Sequence, residues 1–297
     1  MKSYTTLRNL YGTFTKNTAT ANLTFGDEII NDEFRSLYAK RDWWFLHRLR
    51  TLTTTASTQF QNLPYDVGYV ESLYVTVGGA RYTPKLIMNR EEWDLLNETS
   101  YVSDFARYAF VYNGQLGLWP TPATSSNVIT LNAKIRPIDL SVADITSSTI
   151  ATATSGSTSI TLSGGLTAQM VGLWIRGTFS TTANTGDGVW YEIASVTNGT
   201  TGTLVRAYGG NSIVAGTAAC TIAQMPYLPE EFHDMPVYKA AATYWYKEDD
   251  RERGDSYMAS YGDKMKALER TTSPVTDPAV DGGTDQGIIN PNLTISF

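Results

Sequence analysis

The side chains able to do chemistry are few and widely separated. His47 and His233 are the only histidines and Cys220 the only cysteine. A zinc site draws three or four nitrogen or sulfur ligands, usually in closely spaced pairs, and neither histidine has such a companion. His233 stands among Glu230, Glu231 and Asp234 and reads as a surface or capping histidine in the first turns of a helix. Cys220, in the strand-like ACTIAQ, reads as a small buried strand residue. Glu248, Asp249 and Asp250 raise the possibility of a carboxylate pair for glycoside hydrolysis, but a solvated helix exit accounts for them. Gly164-Gly165 and Gly209-Gly210 lack the following Lys-Ser/Thr of a phosphate loop. These residues predict no enzyme, no cofactor and no metal.

Bulk composition narrows the class further. The chain has 297 residues, 42% hydrophobic and 18% charged, with a net charge of -6. That length supports one sizeable core and a satellite domain. The negative balance argues against a protein that grips nucleic acid by neutralising phosphates, and no stripe of basic and aromatic residues suggests otherwise. Aromatic residues make up 12%, and such side chains are enriched where protein surfaces meet. The start, MKSYTTLRNLYGTF, shows no signal peptide, and no run approaches the ~18 apolar residues of a membrane span. The expectation is a protein cytosolic where it is made.

The elements that must position these residues change character along the chain. Between about 147 and 225 only Arg176, Asp187, Glu192 and Arg206 are charged, and short apolar runs alternate with Ser, Thr and Gly. This predicts a small all-β module, a sandwich or barrel, set into a host made of residues 1–146 and 226–270. The spacing of Phe25, Ile29, Ile30, Phe34, Leu37 and Tyr38 predicts a helix, with acidic residues early and Lys40 and Arg41 late. Trp43, Trp44 and Phe45 follow, more large apolar groups than one helix stripe can bury, and are candidates for a subunit interface. Residues 51–83 read as strands with a Gly78-Gly79 turn, Asn89-Arg90-Glu91-Glu92 opens a short helix, and YAFVY, Asn113-Gly114 and QLGLW read as a hairpin followed by one more strand, VITLNAKI. Leu228-Pro229-Glu230-Glu231-Phe232 starts another helix, in which Pro236 predicts a kink or a delayed start. Gly254 marks a break and Asp255 caps a last helix. The fold class expected is α+β: a helical-bundle host, its helices at 22–46, 229–248 and 255–270 packed together, with β hairpins and the inserted module. Residues 271–297, with three prolines and no helical period, predict an extended C-terminal arm. In it Ile288, Ile289, Leu293, Ile295 and Phe297 form apolar, partly alternating segments suited to docking on a neighbour.

Several segments, in order, resemble the head-to-tail adaptor (connector, or neck) proteins of tailed bacteriophages. They are RDWWFL (41–46), QFQNLPYDVGYVESLYVTVGGARYTP (59–84), GQLGLWPTP (114–122) and YLPEEFHDMPVYKAAATYWYKEDD (227–250). The module, with Val171-Gly172-Leu173-Trp174-Ile175-Arg176 and WYEIASV (190–196), is similar to a small β domain of many phage virion proteins. The resemblance implies a homo-oligomeric ring, typically of twelve copies, docked on the portal protein with tail or nozzle proteins below. The ring would lie in the virion neck after assembly in the host cytoplasm, and DNA would pass through it without specific binding. The arm would dock on the portal or the adjacent subunit. Glu248, Asp249, Asp250 and Glu252 are the candidates for a neutral to acidic channel face. The rival reading is a tail or fibre protein whose β module binds host-surface glycan, which stacked Trp174, Trp190 and Tyr191 on one exposed face would favour. A cell-wall hydrolase ranks third.

Overall fold

The structure is a computed structural model that describes residues 1–272, apart from 65, 137, 180–184 and 215–217. Its first helix, α1 (Tyr4–Thr15), was not expected from sequence. Leu7, Leu10, Tyr11 and Phe14 do have helical spacing, but Gly12 and four threonines give the segment weak intrinsic preference. Docking decides: Leu7 and Tyr11 are fully buried, and the Ser3 hydroxyl accepts from the Thr6 N–H at 3.3 Å to cap the start. α2 (Thr20–Lys40) follows. Gly26 lets the two helices close, since a Cβ there would stand 2.3 Å from the Tyr11 ring.

Nine elements then build a two-sheet layer. They are β1 (His47–Thr53), β2 (Phe60–Asn62), β3 (Val67–Val77), β4 (Ala80–Tyr82), β5 (Lys85–Ile87), α3 (Arg90–Leu96), β6 (Tyr108–Tyr112), β7 (Gln115–Trp119) and β8 (Val128–Ile135). One sheet runs β1-β8-β3-β4 and the other β2-β7-β6-β5. Asn113 (φ 49°) and Gly114 (φ 74°) make the tight turn between β6 and β7, as a type I′ hairpin requires. Alternation puts Val70, Leu73, Val75, Ile129 and Leu131 of the first sheet against Ala109, Leu116 and Leu118 of the second in one core. Trp93 of α3 covers the opposite face of the second sheet, stacked on Phe110 with ring centroids 5.3 Å apart.

Six further strands close a barrel in the order β10-β13-β12-β11-β14-β9. They are β9 (Thr149–Ala153), β10 (Ser159–Leu162), β11 (Trp174–Gly177), β12 (Trp190–Val196), β13 (Thr201–Leu204) and β14 (Ala218–Ala223). Ile150, Leu162, Ile175, Ile193, Leu204 and Ile222 fill its interior. Closure pairs every edge, so this small polar module presents no strand template. The chain then returns to α4 (Met235–Lys247) and α5 (Arg251–Thr272). α1, α2, α4 and α5 share one core with Ile30, Phe34, Leu37, Val237, Ala240 and Leu268.

The molecule is α+β overall, but the expectation of a helical-bundle host is corrected. It is mostly β, with two four-stranded sheets and a six-stranded barrel against five α-helices among the described residues. The physical reason lies in residues 47–135. Their period-2 alternation buries a separate sheet-on-sheet core, so the strands are a structural layer and not hairpins appended to helices. Local boundaries shift too. Pro236 falls in the first turn of α4, after a 3-10 turn at Glu230–Phe232. The break between α4 and α5 comes at Asp249, with φ 60°; Gly254 lies inside α5, buried against the Tyr246 ring.

Candidate functional site

The candidate interface residues separate sharply on folding. Trp43 is wholly buried and its indole N–H donates to the Leu37 carbonyl at 2.6 Å. Phe45 is also buried, stacked on Trp43 at 5.6 Å. Trp44, held edge-on to Phe45 at 5.8 Å, is 60% exposed. A single turn of 3-10 helix, Trp44–Leu46, produces this split by turning consecutive side chains to different sides. Directly after it β1 begins. Leu49 of that strand and Tyr69 of β3 are exposed as well. In the register His47 pairs with Lys134 and Lys134 with Tyr69, so these side chains share the outward face of the first sheet. Large apolar groups on a rigid sheet have the character of a protein contact surface.

A feature that sequence reasoning missed joins this sheet to the barrel. From β1, Arg48 donates to Glu192 of β12 at 2.6 Å and stacks over the Tyr227 ring at 4.6 Å. Arg50 donates twice to Asp66, at 2.8 and 2.5 Å, and reaches Glu192 at 3.4 Å. Glu192 and Asp66 are only 5% and 6% exposed. Burial opposes the Arg50 charge, but Asp66 and Glu192 outweigh it and raise the pKa above the usual arginine value. Two arginines and two carboxylates therefore make a neutral, largely dry quartet. The barrel is consequently clamped to the sheet at this point as well as being joined through the chain. The available signal was a carboxylate within the alternating strand WYEIASV; its partners lie more than 140 residues away.

The channel-face candidates occupy the tip where α4 meets α5. Glu248, Asp249 and Glu252 are exposed and Asp250 is half-buried. Asp250 accepts from the Arg253 N–H at 3.2 Å and pairs with its guanidinium at 3.2 Å. Lys247, Arg251 and Arg253 are interleaved with the four carboxylates, so residues 247–253 carry a formal charge of only -1. The docking candidates Ile288, Ile289, Leu293, Ile295 and Phe297 lie outside the described residues.

The two histidines and the cysteine lie in separate surroundings. His233 is buried, contrary to the expected surface position. Its Nδ1 accepts from the Lys2 N–H at 3.1 Å and its Nε2 faces the Leu228 carbonyl at 2.9 Å. Burial lowers its pKa below the ordinary histidine value. His47 lies between Glu71 at 2.7 Å and Asp42 at 3.2 Å. Cys220 points at the Ser148 carbonyl, with its thiol pushed up to about 11 by burial. Among the described residues no three or more His, Cys, Asp and Glu are grouped to hold a metal. The barrel aromatics do not form one exposed face. Tyr191 is buried and its hydroxyl donates to Asp187 at 2.6 Å, while Trp190 is covered by the Arg176 guanidinium at 4.5 Å.

Two cavities flank Tyr38 near the end of α2. The larger, about 430 Å³, lies between α2, the two connections to the barrel and the barrel itself, with Phe34, Leu140, Leu173 and Met225 in its wall. The smaller, about 310 Å³, is lined by Arg35, Lys134 and Arg136 beside Leu46 and Ile135. No described helix is long and apolar enough to cross a membrane. Neither a protein-family model nor a curated protein matches this chain.

Proposed function

We propose that this chain is a structural protein of a tailed-phage virion: a head-to-tail adaptor whose copies form a ring beneath the portal, above tail or nozzle proteins. The ordered motifs supply the resemblance, and the observation that carries the reading is Trp44. A large indole 60% exposed stands edge-on to buried Phe45, and placing it against a neighbour removes apolar surface from water. Leu49 and Tyr69 extend the same apolar character along the first sheet. A ring contact of this kind is heterologous, one face meeting a different face of the next copy. The clamped barrel would then repeat around the ring at a set angle. The mixed charge of the α4–α5 tip suits a surface that DNA passes without being held.

Electron microscopy and mass photometry of the protein with portal-bearing particles test this. The expected result is a ring of many copies, twelve by the resemblance, at the portal vertex. One copy per particle, or no association, refutes it. Free protein should leave duplex DNA unshifted in a gel at physiological salt.

A further inference from the structure

We propose, in place of the expected docking on a neighbour, that the two cavities beside Tyr38 form one groove that receives the C-terminal segment of the same subunit, with Leu293, Ile295 and Phe297 in the apolar part. Four features of the molecule point to this occupant. First, the larger cavity calls for apolar atoms. The Gln224 side chain at its wall is already satisfied: its oxygen accepts from the Ser141 and Val142 N–H groups at 2.8 and 2.9 Å, and its amide donates to the Asp139 carbonyl at 2.9 Å. Phe34, Leu140, Leu173 and Met225 give the wall most of its apolar character, beside Tyr38, Tyr227, Ser141 and the exposed Gln169. A volume of about 430 Å³ falls within the roughly 300–1,000 Å³ of sites that enclose a small ligand or a few side chains.

Second, the exit point is adjacent. Glu269, one turn from the end of α5, pairs with Lys40 at 2.7 Å, and Lys40 ends the helix whose Arg35, Tyr38 and Ala39 line the smaller cavity. The segment therefore leaves α5 at the rim of the groove. Third, length is sufficient: 20 residues separate Thr272 from residue 293, and at ~3.3 Å per residue they span up to about 70 Å. Fourth, charge is complementary. Residues 273–297 contain Asp277, Asp281 and Asp285 and no Lys or Arg. The smaller cavity offers three cations. Arg35 is shared with Asp32 and Asp139, and Lys134 pairs with Asp42 at 2.6 Å. Arg136 makes no ion pair among the described residues.

This proposal shares Tyr69 with the face assigned to the ring contact, so its test uses the full chain in its free state, where no neighbour covers that face. Gln169→Cys, exposed at the cavity mouth, is combined with Ile295→Cys, and disulfide formation is followed under mild oxidation at low protein concentration; buried Cys220 is retained. A control pairs Ile295→Cys with Asn198→Cys, on an exposed barrel turn. The expected result is an intramolecular link in the first pair at least ~10-fold faster than in the control. Adding Leu293→Asp should bring the rate down to the control. Arg136→Glu should slow linkage several-fold at low salt and less at high salt. Equal rates in the two pairs, or links found only between two molecules, overturn the proposal.

Discussion

Neutralising Glu192 should loosen the barrel from the sheet, and the cost can be worked from the geometry. The Arg48–Glu192 contact at 2.6 Å corresponds, at an effective dielectric of ~20, to a gross attraction of about 6 kcal/mol. Desolvation cancels most of it, leaving about 1.5–3 kcal/mol net for a charged hydrogen bond. Arg48 is 25% exposed and can rehydrate in part, while Arg50 keeps Asp66. Glu192→Gln should therefore cost about 2 kcal/mol. Arg48→Met should cost somewhat more, about 3 kcal/mol, because it strands a carboxylate only 5% exposed with one long contact to Arg50. The double variant should be milder than the sum by at least ~1 kcal/mol, since neither charge is then left buried alone. Urea unfolding of the four proteins measures this cycle, and hydrogen exchange over residues 138–148 and 224–228 should quicken in the single variants. Additivity within ~0.3 kcal/mol, with exchange unchanged, would refute the clamp.

Trp43→Ala should destabilise by about 3–5 kcal/mol as a cavity in the helical core. Trp44→Ala should change stability by less than ~0.5 kcal/mol yet impair assembly on particles, which thermal melting and particle incorporation separate. Gly26→Ala, stabilising by helix propensity alone, should instead cost about 1–3 kcal/mol, because buried Tyr11 cannot retreat from the new methyl; a raised Tm would contradict the close approach. Acidification should weaken the fold through His233. Its folded pKa lies below the unfolded value near 6.5, so the unfolded chain takes up more protons and stability falls as pH drops below ~6.5, by at most ~1.4 kcal/mol per unit. The N-terminal amine and Lys2 lower that pKa further, and Asp234, paired with Lys2 and Lys264, contributes its loss only at lower pH. The His233→Gln variant should flatten the profile between pH 6.5 and 5, and an unchanged slope would rule out this histidine as the source.

Local patterns were legible wherever the cause is local. Asn113-Gly114 specifies its turn because both residues tolerate positive φ. Pro236 delays α4 because it has no N–H to give, and the alternating WYEIASV is a strand because a pleat turns successive side chains to opposite faces. The sequence also isolates the nearly uncharged stretch that holds β9 to β14. What tertiary structure alone decided is which faces meet. β1 pairs with β8, some eighty residues later, and β2 with β7, which turns apparent hairpins into two sheets with their own core and makes the molecule mostly β. Gly254 reads as a breaker, yet packing against Tyr246 places it inside a helix. His233 reads as exposed, yet the N-terminal residues cover it. Trp43 and Trp44 are the same residue type in adjacent positions, and only the 3-10 turn buries one and exposes the other. Arg48 and Glu192 carry no mutual signal, because an ion pair depends on distance in space and on exclusion of water. Both are created only when the sheet and the barrel close on each other.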